Sequence, residues 1–527
     1  MRKWLLGAPL AALAAVAASD LRQKKYPILR TFPILGHARM AISSIGPELR
    51  QYIVASNDEE RPFTRDQRDW IYGAADGAAT TFGFGTDNDV EFDEGYPIIK
   101  QRTFVGVTVS AHAHSAEQLP LPPAKVLGGA RGRARAFRPE SLVNISAMSF
   151  GSLSAPAVEA LNRGAALAGC LHNTGEGGLS AYHQNGADLV FQIGTAYFGV
   201  RDAEGRFDLD KLVALCEKHP IRAIEIKLSQ GAKPGLGGLL PAAKITDEIS
   251  QIRGIPKDED CASPSRHTAF HDVDSLLDVV ETIADRTGLP VGIKSAVGDM
   301  LFWERLAAAM ATGERGVDFI TIDGGEGGTG AAPLVFSDAV SLPFRLGFPR
   351  VYRVFAEAGL TDDVVFIGSG KLGIPENAIV AMALGIDMIN VAREAMLSVG
   401  CIQALKCHTD RCPTGVATQN PWLVRGVDPT DKAQRCARYL RSLRRELIKV
   451  SGAVGVPHPA LIGPEDVELA WGTREAKPLA EVYGYGGGMG FPSEDDQKAI
   501  TDLMIEMGVA EHTAAYAPPG VSPPGRP

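Results

Sequence analysis

The sequence predicts an α/β chain: a (β/α)8 TIM barrel with an N-terminal extension and a short C-terminal appendage. Two observations carry that prediction. Short β-branched apolar runs alternate eight times with longer stretches whose apolar residues recur every three or four positions, and glycine and polar residues collect where the runs end. The runs are LVNISAM (142–148), CLHNTG (170–175), DLVFQIG (188–194), AIEIKLS (223–229), PVGIKSA (290–296), DFITIDG (318–324), VVFIGSG (364–370) and MINVARE (388–394). Between them, APAVEALNRGAALAG, MLFWERLAAAMATG and IPENAIVAMALGI read as helices. A doubly wound open sheet alternates in the same way. The placement of chemistry separates the two, because a barrel carries its functional groups at the C-terminal ends of its strands. Here the first strand runs into Met148, Ser149 and Gly151, the second into Asn173 and Gly175-Glu176-Gly177-Gly178, and the fourth into Lys227 through Gln230.

The chain divides into residues 1–25, a hydrophobic segment; 26–130, an extension; 131–455, the barrel; and 456–527, an appendage that ends in a Pro-rich tail. With 527 residues, 45% of them hydrophobic, it can bury a large core. A net charge of -9 and the lack of a basic run interleaved with aromatics argue against a nucleic-acid surface. Residues 4–18 form an Ala-rich apolar run behind Arg2 and Lys3, open to reading as a signal peptide, a membrane anchor or a buried helix. The anchor is favoured. The excess of Arg and Lys after the run would then keep the body on the cytoplasmic side. After the eighth strand, DKAQRCARYLRSLRRELIKVSGAVG reads as a basic amphipathic helix with a solvated charged face, 456–510 as a small α-rich unit, and 515–527 as a tail without order.

The last three strands end in a phosphate-site pattern. Gly325, Gly327, Gly328 and Thr329, then Gly368, Ser369 and Gly370, then Ala392 and Arg393 offer bare backbone N–H groups and a cation at consecutive strand ends. No nucleoside-triphosphate loop of the G-x-x-x-x-G-K-[ST] kind occurs. A phosphate beside polar strand ends points to a phosphorylated cofactor across the barrel mouth, and FMN is the strongest candidate. Lys294 at the end of strand five is placed to stabilise the reduced, anionic ring. Met148, Ser149 and Asn173 are further cofactor contacts by position.

NISAMSFGSLSAPA, HNTGEGG, EIKLSQGAKPGLGGLLP, TIDGGEGGTGAAP and CIQALKCHTDRCPTGVATQNP, in that order, resemble the FMN-binding synthase domain of the glutamate synthase large subunit over about residues 140–425. The stretches YPILRTFPILGHARM to TTFGFGTDNDVEF resemble the extension of the stand-alone FMN-binding glutamate synthase family proteins. The resemblance implies that Cys401, Cys407 and Cys412, spaced C-x5-C-x4-C, ligate a 3Fe-4S cluster. Soft thiolates agree with that. Zinc, with His408 as fourth ligand, and disulfides are the weaker readings. The remaining Cys170, Cys216, Cys261 and Cys436 read as structural.

The family reduces 2-iminoglutarate, formed from 2-oxoglutarate and ammonia, to L-glutamate. By resemblance Glu176 and Lys233 lie near substrate and flavin as catalytic candidates, and Gln230 contacts the flavin. A keto-acid site needs cations for two carboxylates, and Lys233, Arg266 and Lys371 are available. The implied partners are a 2-oxo acid and an amine, an electron-donor protein (ferredoxin or a reductase subunit) and an ammonia-supplying partner. The chain departs from the large enzymes in having no room for their glutaminase domain or β-helix, so it is expected not to hydrolyse glutamine by itself. The segment CASPSRHTAFHD (261–272) also differs, leaving the substrate open and His267 and His271 as acid-base candidates weighed against local hydrogen bonding. The competing reading is a membrane-associated flavin and iron-sulfur relay that makes no amino acid.

Overall fold

The computed structural model describes residues 4–46, 60–78, 85, 86, 88, 90, 93–110, 113, 119–472 and 474–513. The Pro-rich tail expected at 515–527 lies outside them. Eight parallel strands close into a barrel: β1 (Val143–Ile145), β2 (His172–Asn173), β3 (Leu189–Ile193), β4 (Ile221–Lys227), β5 (Val291–Ser295), β6 (Phe319–Asp323), β7 (Val365–Ser369) and β8 (Met388–Val391). Each pairs with its neighbour in sequence, and β8 closes onto β1 through Ile389 opposite Val143 and Val391 opposite Ile145. All eight expected runs contain strands: seven are trimmed at one or both ends, and β4 begins two residues earlier than expected, at Ile221. Every residue of β5, β6, β7 and β8 is buried, as strands covered on both faces must be.

Inside the bore a carboxylate replaces apolar filling. Glu225 on β4 is 1% exposed and accepts from Asn173 Nδ2 (2.8 Å), Gln192 Nε2 (2.7 Å) and Thr321 Oγ1 (2.7 Å). Four strands are thereby cross-linked by a paired polar network, which a low-dielectric interior strengthens. Outside, helix Ala155–Ala168 packs along the 26-residue helix Pro429–Val454. The solvated charged face expected on that long helix is incomplete, since Lys432, Arg435 and Arg444 are buried. The C-terminal region is less helical than expected. Val467–Trp471 pairs with Pro97–Ile99 and Glu475–Pro478, and Ala510–His512 pairs with Val107–Val109, so extension and appendage share sheets.

The membrane-anchor reading of residues 4–18, and the cytoplasmic-side placement drawn from it, are corrected. Among the described residues no helix is long and apolar enough to cross a membrane. Helix Trp4–Arg22 contains Pro9 and runs on through Asp20 to Arg22. Asp20, 3% exposed, accepts from the Ile34 N–H (2.8 Å) and pairs with His37 Nε2 (2.8 Å), which ties the helix end to the next segment. Beyond it, buried Lys432 donates to the carbonyls of Lys24 and Lys25. A run that looks like an anchor by composition thus ends in a polar junction with the protein body.

The N-terminal face of the barrel is closed by Lys125. Its Nζ donates to Asp387 Oδ2 (3.0 Å) and to the carbonyls of Thr361 (2.7 Å) and Val364 (3.1 Å), and Asp387 accepts the Phe366 N–H (2.8 Å). Removing one partner of such a pair strands a buried charge. Lys125→Met is expected to cost about 3 kcal/mol, seen as a lower denaturation midpoint, whereas an unchanged midpoint would show that Asp387 is satisfied without it.

Candidate active site

The C-terminal mouth gathers charge in two pockets. In the first, Glu176, after β2, meets Lys227, the last residue of β4, with Oε1 to Nζ at 2.9 Å; the same Nζ donates to Gln230 Oε1 (3.3 Å). Lys233, 2% exposed, donates to the Gly237 carbonyl (2.9 Å). Burial pushes the Glu176 carboxyl up, but Lys227 and Lys233, with Arg253, outweigh burial and hold it at about 2. Burial, reinforced by Lys227, brings Lys233 down to about 8. Arg253, at the end of helix Asp247–Arg253, completes this pocket. It is 6% exposed, donates to the Phe150 carbonyl (3.2 Å), and its buried Nε has no hydrogen-bond partner.

The second pocket lies where β6, β7 and β8 end. Arg393 donates to the Glu326 carbonyl and Lys371 follows Gly370, whose φ of +144° suits glycine. Both cations lie over the ring of Phe63, 5.1 and 5.3 Å from its centroid. Burial lowers Lys371, and Arg393 beside it lowers it further. The Glu326 carboxylate accepts the Phe344 N–H (2.8 and 3.1 Å) at the start of helix Phe344–Glu357, and burial raises its pKa.

Between the pockets, Lys294 at the end of β5 is 5% exposed, with Nζ 3.6 Å from Asp323 Oδ1. Asp323 Oδ2 accepts the Gly231 N–H at 2.8 Å. Residue 231 must be glycine, because a Cβ there would stand 1.9 Å from the Gly324 carbonyl oxygen. Met148 is buried and Ser149 half-buried at the end of β1, while Asn173 turns into the bore toward Glu225.

Among the residues expected to form the site, Glu176, Gln230 and Lys233 come together in the first pocket. Gly325, Gly327, Gly328, Thr329, Gly368, Ser369, Gly370, Ala392 and Arg393 line the strand ends around the second. The three expected carboxylate cations separate: Lys233 stays beside Glu176, Lys371 sits with Arg393, and Arg266 is exposed without an ion pair among the described residues. His267 is occupied, its Nε2 2.9 Å from the Lys227 carbonyl and its Nδ1 3.2 Å from Tyr197 OH. His271 is exposed beside Asp272. Sequence reasoning missed Arg253, Phe63 and Tyr197. Arg253 reads as an ordinary helix-end cation, and Phe63 is far away in the chain.

All seven cysteines are free. Cys401, Cys407 and Cys412 lie in electrostatic range of one another, and burial, with the two neighbouring thiols adding, pushes Cys401 up to about 12. The Gln403 N–H points to Cys401 Sγ at 3.5 Å, and Cys412 Sγ lies 3.6 Å from Thr414 Oγ1. Among the described residues no group of three or more His, Cys, Asp or Glu side chains is gathered as a site for a metal ion. His408 is exposed. The loop is strained: Gln403, Leu405 and Asp410 all have φ near +56° (56, 55 and 57°), a region that side chains avoid.

Parallel barrels carry out chemistry at this face, and relatives of the chain agree in class. The model of the conserved region in glutamate synthase matches residues 111–457. The glutamate synthase large subunit-like protein YerD of Bacillus subtilis is 37% identical over 493 residues, covering 88% of this chain and 93% of that one. An archaeal NADPH glutamate synthase of Methanocaldococcus jannaschii is 34% identical over 319 residues, covering 60% of this chain and 59% of that protein. This chain therefore spans less than two thirds of the archaeal protein. Among solved structures, a mandelate oxidase with (S)-4-hydroxymandelic acid covers 77% of this chain and 91% of its own, with 14% identity and a TM-score of 0.41. The chain belongs to the glutamate synthase family, and so to an oxidoreductase class of enzyme.

Tyr197 governs the loop in which the sequence departs from the large enzymes. Its φ is +53°, it is 2% exposed, and its hydroxyl oxygen accepts from the N–H groups of Thr268 (2.9 Å) and Ala269 (3.0 Å). Tyr197→Phe removes the shared acceptor and with it both hydrogen bonds, each worth about 1 kcal/mol. Hydrogen exchange at those two amides is expected to speed up about tenfold; unchanged protection would mean that the hydroxyl does not hold the loop.

Proposed function

We propose that the protein is an FMN and iron-sulfur oxidoreductase. It reduces the imine formed from 2-oxoglutarate, or a similar 2-oxo acid, and ammonia or an amine to L-glutamate or a related amino acid. The observation that carries this reading is the pairing, at one barrel mouth, of a lysine-rich carboxylate pocket with a separate glycine-lined cation pocket. A dianionic phosphate beside Lys371 and Arg393 would offset their mutual repulsion, and the exposed Gly328 and half-buried Gly327 and Gly370 leave backbone open to it. Lys294, Gln230, Met148 and Ser149 would face the ring. The fit of Cys401, Cys407 and Cys412 to a 3Fe-4S cluster rests on three free cysteines within electrostatic range of one another and on the Gln403 N–H aimed at the Cys401 sulfur. When bound, FMN supplies two-electron reduction and the cluster supplies electrons singly.

The chain's own residues bind, orient and protonate. Lys233 and Arg253 are the cations for the substrate carboxylates, with Lys227 held against Glu176. Lys233, near pKa 8, can give up and regain a proton at Nζ at working pH. Electrons come from a donor protein, a ferredoxin or a reductase subunit, and ammonia arrives free or from a partner. The carboxylate pocket favours this reading over a relay without an organic product, which has no use for it.

Anaerobic purification should give flavin absorption bands and the EPR signal of an oxidised three-iron cluster, and reduced protein should form glutamate from 2-oxoglutarate and ammonia. Cys401→Ser is expected to abolish the EPR signal while the flavin bands remain. A colourless protein would refute the reading. The sign of the pH response follows from Lys233: the ammonium is charged below about 8 and neutral above it, so kcat/KM for the 2-oxo acid should fall as pH rises through that value. Lys233→Met should lower kcat/KM about 10- to 100-fold, the loss of a charged hydrogen bond of about 1.5–3 kcal/mol, and remove that alkaline fall. A fall that persisted in the variant would assign it to another group.

A further inference from the structure

Lys244 joins the two loops that this reading makes redox neighbours. It ends the short turn Ala242–Lys244 and is 3% exposed. Its Nζ donates to the Cys407 carbonyl at 2.9 Å and to the Ser152 carbonyl at 3.2 Å. Ser152 belongs to the loop after β1 that carries Met148 and Ser149, and Cys407 is the middle member of the cysteine triplet. The same two loops are tied again by Gln419 Nε2, which donates to the Gly151 (3.2 Å) and Leu153 (2.8 Å) carbonyls, and by the Ser154 N–H, which donates to the Val416 carbonyl (3.0 Å). Those ties are neutral. Lys244 adds a charge to the junction.

A buried ammonium normally requires a carboxylate. Among the described residues Lys244 forms no such ion pair, and its hydrogen bonds go to carbonyls alone. Asp410, the carboxylate in electrostatic range, is already engaged by the Gln419 N–H (2.7 Å) and Thr418 Oγ1 (3.0 Å). The other anions in range are Cys407 and Cys412 once they are deprotonated. From another element, Arg393 is in range of Cys401 and Cys407.

We propose that Lys244 is the counter-charge of the three-cysteine site and the positioning residue that locks it to the loop after β1. The inference rests on reading those cysteines as cluster ligands. A fixed positive charge beside a thiolate-ligated cluster favours its reduced, more negative state. Lys244 therefore holds the midpoint potential up, while its two carbonyl bonds fix the spacing between the cysteine loop and the flavin side.

The test is an EPR-monitored redox titration of the purified full chain, with iron and flavin contents measured alongside. In Lys244→Met the ratio of reduced to oxidised cluster at the wild-type midpoint should fall about tenfold, equivalent to about 59 mV for a one-electron couple. Lys244→Arg, which keeps the charge, should return toward the wild-type potential. Full iron content with an unmoved potential in Lys244→Met would overturn the proposal while leaving the functional reading intact. If the Met variant fails to assemble, Lys244→Gln, which keeps a hydrogen-bond donor without the charge, must show the same fall, and a wild-type potential there overturns the proposal too. A wild-type chain without iron would instead overturn the functional reading and this inference with it.

Discussion

The mouth of the barrel depends on one carboxylate, Asp323, which stands at the end of β6 and is 5% exposed. One of its oxygens takes the N–H of Gly231, in the loop after β4, and the other faces Lys294 on β5. That bond draws the β4 loop so close to the β6 loop that only a hydrogen fits on the Gly231 α-carbon. Ser341 Oγ donates to the Gly231 carbonyl at 3.0 Å, and fixes the same peptide from its other side. Lys233 follows two residues later and inherits its place from this anchor. Its turn back to the Gly237 carbonyl is a local consequence of a backbone position set by β6.

From that anchor the mouth divides by charge balance. The first pocket contains its own anion, Glu176, so Lys227 and Lys233 can be buried side by side without an external partner. The second pocket also gathers carboxylates, since Glu326 and Glu394 lie in electrostatic range of both Lys371 and Arg393. Glu326 spends its oxygens on the Phe344 N–H, and Arg393 and Lys371 share an aromatic face, which is a weaker partner than a carboxylate. The two pockets thus hold their cations differently: the first pairs Lys227 directly with Glu176, and the second stacks Lys371 and Arg393 over Phe63 within range of Glu326 and Glu394.

The barrel was legible in the sequence because its signal is local. Eight runs of β-branched residues, each ending in glycine or a polar residue, suffice to place eight strands, and all eight are present. The strand-end glycines were legible for the same reason. Side chains that enter the mouth from the extension or from within a long βα connection were not. Phe63 reaches the second pocket from the extension, and Arg253 reaches the first from a short helix; neither position carries a periodic or motif signal. Tyr197 is invisible in a further way, since nothing in its neighbours announces a positive φ for a bulky residue. The N-terminal run misled because composition reports how apolar a helix is but not that Asp20 at its end is buried against Ile34 and His37.

The extension and the cysteine loop are built as one unit. Gln403 exchanges two hydrogen bonds with the Phe63 backbone, at 3.0 Å each, through its side-chain amide, while its own N–H turns toward Cys401 sulfur. Satisfying both sides requires the left-handed backbone that Gln403 adopts at a cost of about 1 kcal/mol or more. Tyr72 OH donates to the Cys401 carbonyl at 2.8 Å and braces the loop at its first cysteine. Phe63 is therefore shared: its ring covers Lys371 and Arg393 while its backbone holds Gln403. A displacement of the extension would move the cation pocket and the first cysteine together, so residues 60–76 act as a structural part of the mouth, coupling its two ends through a single aromatic residue.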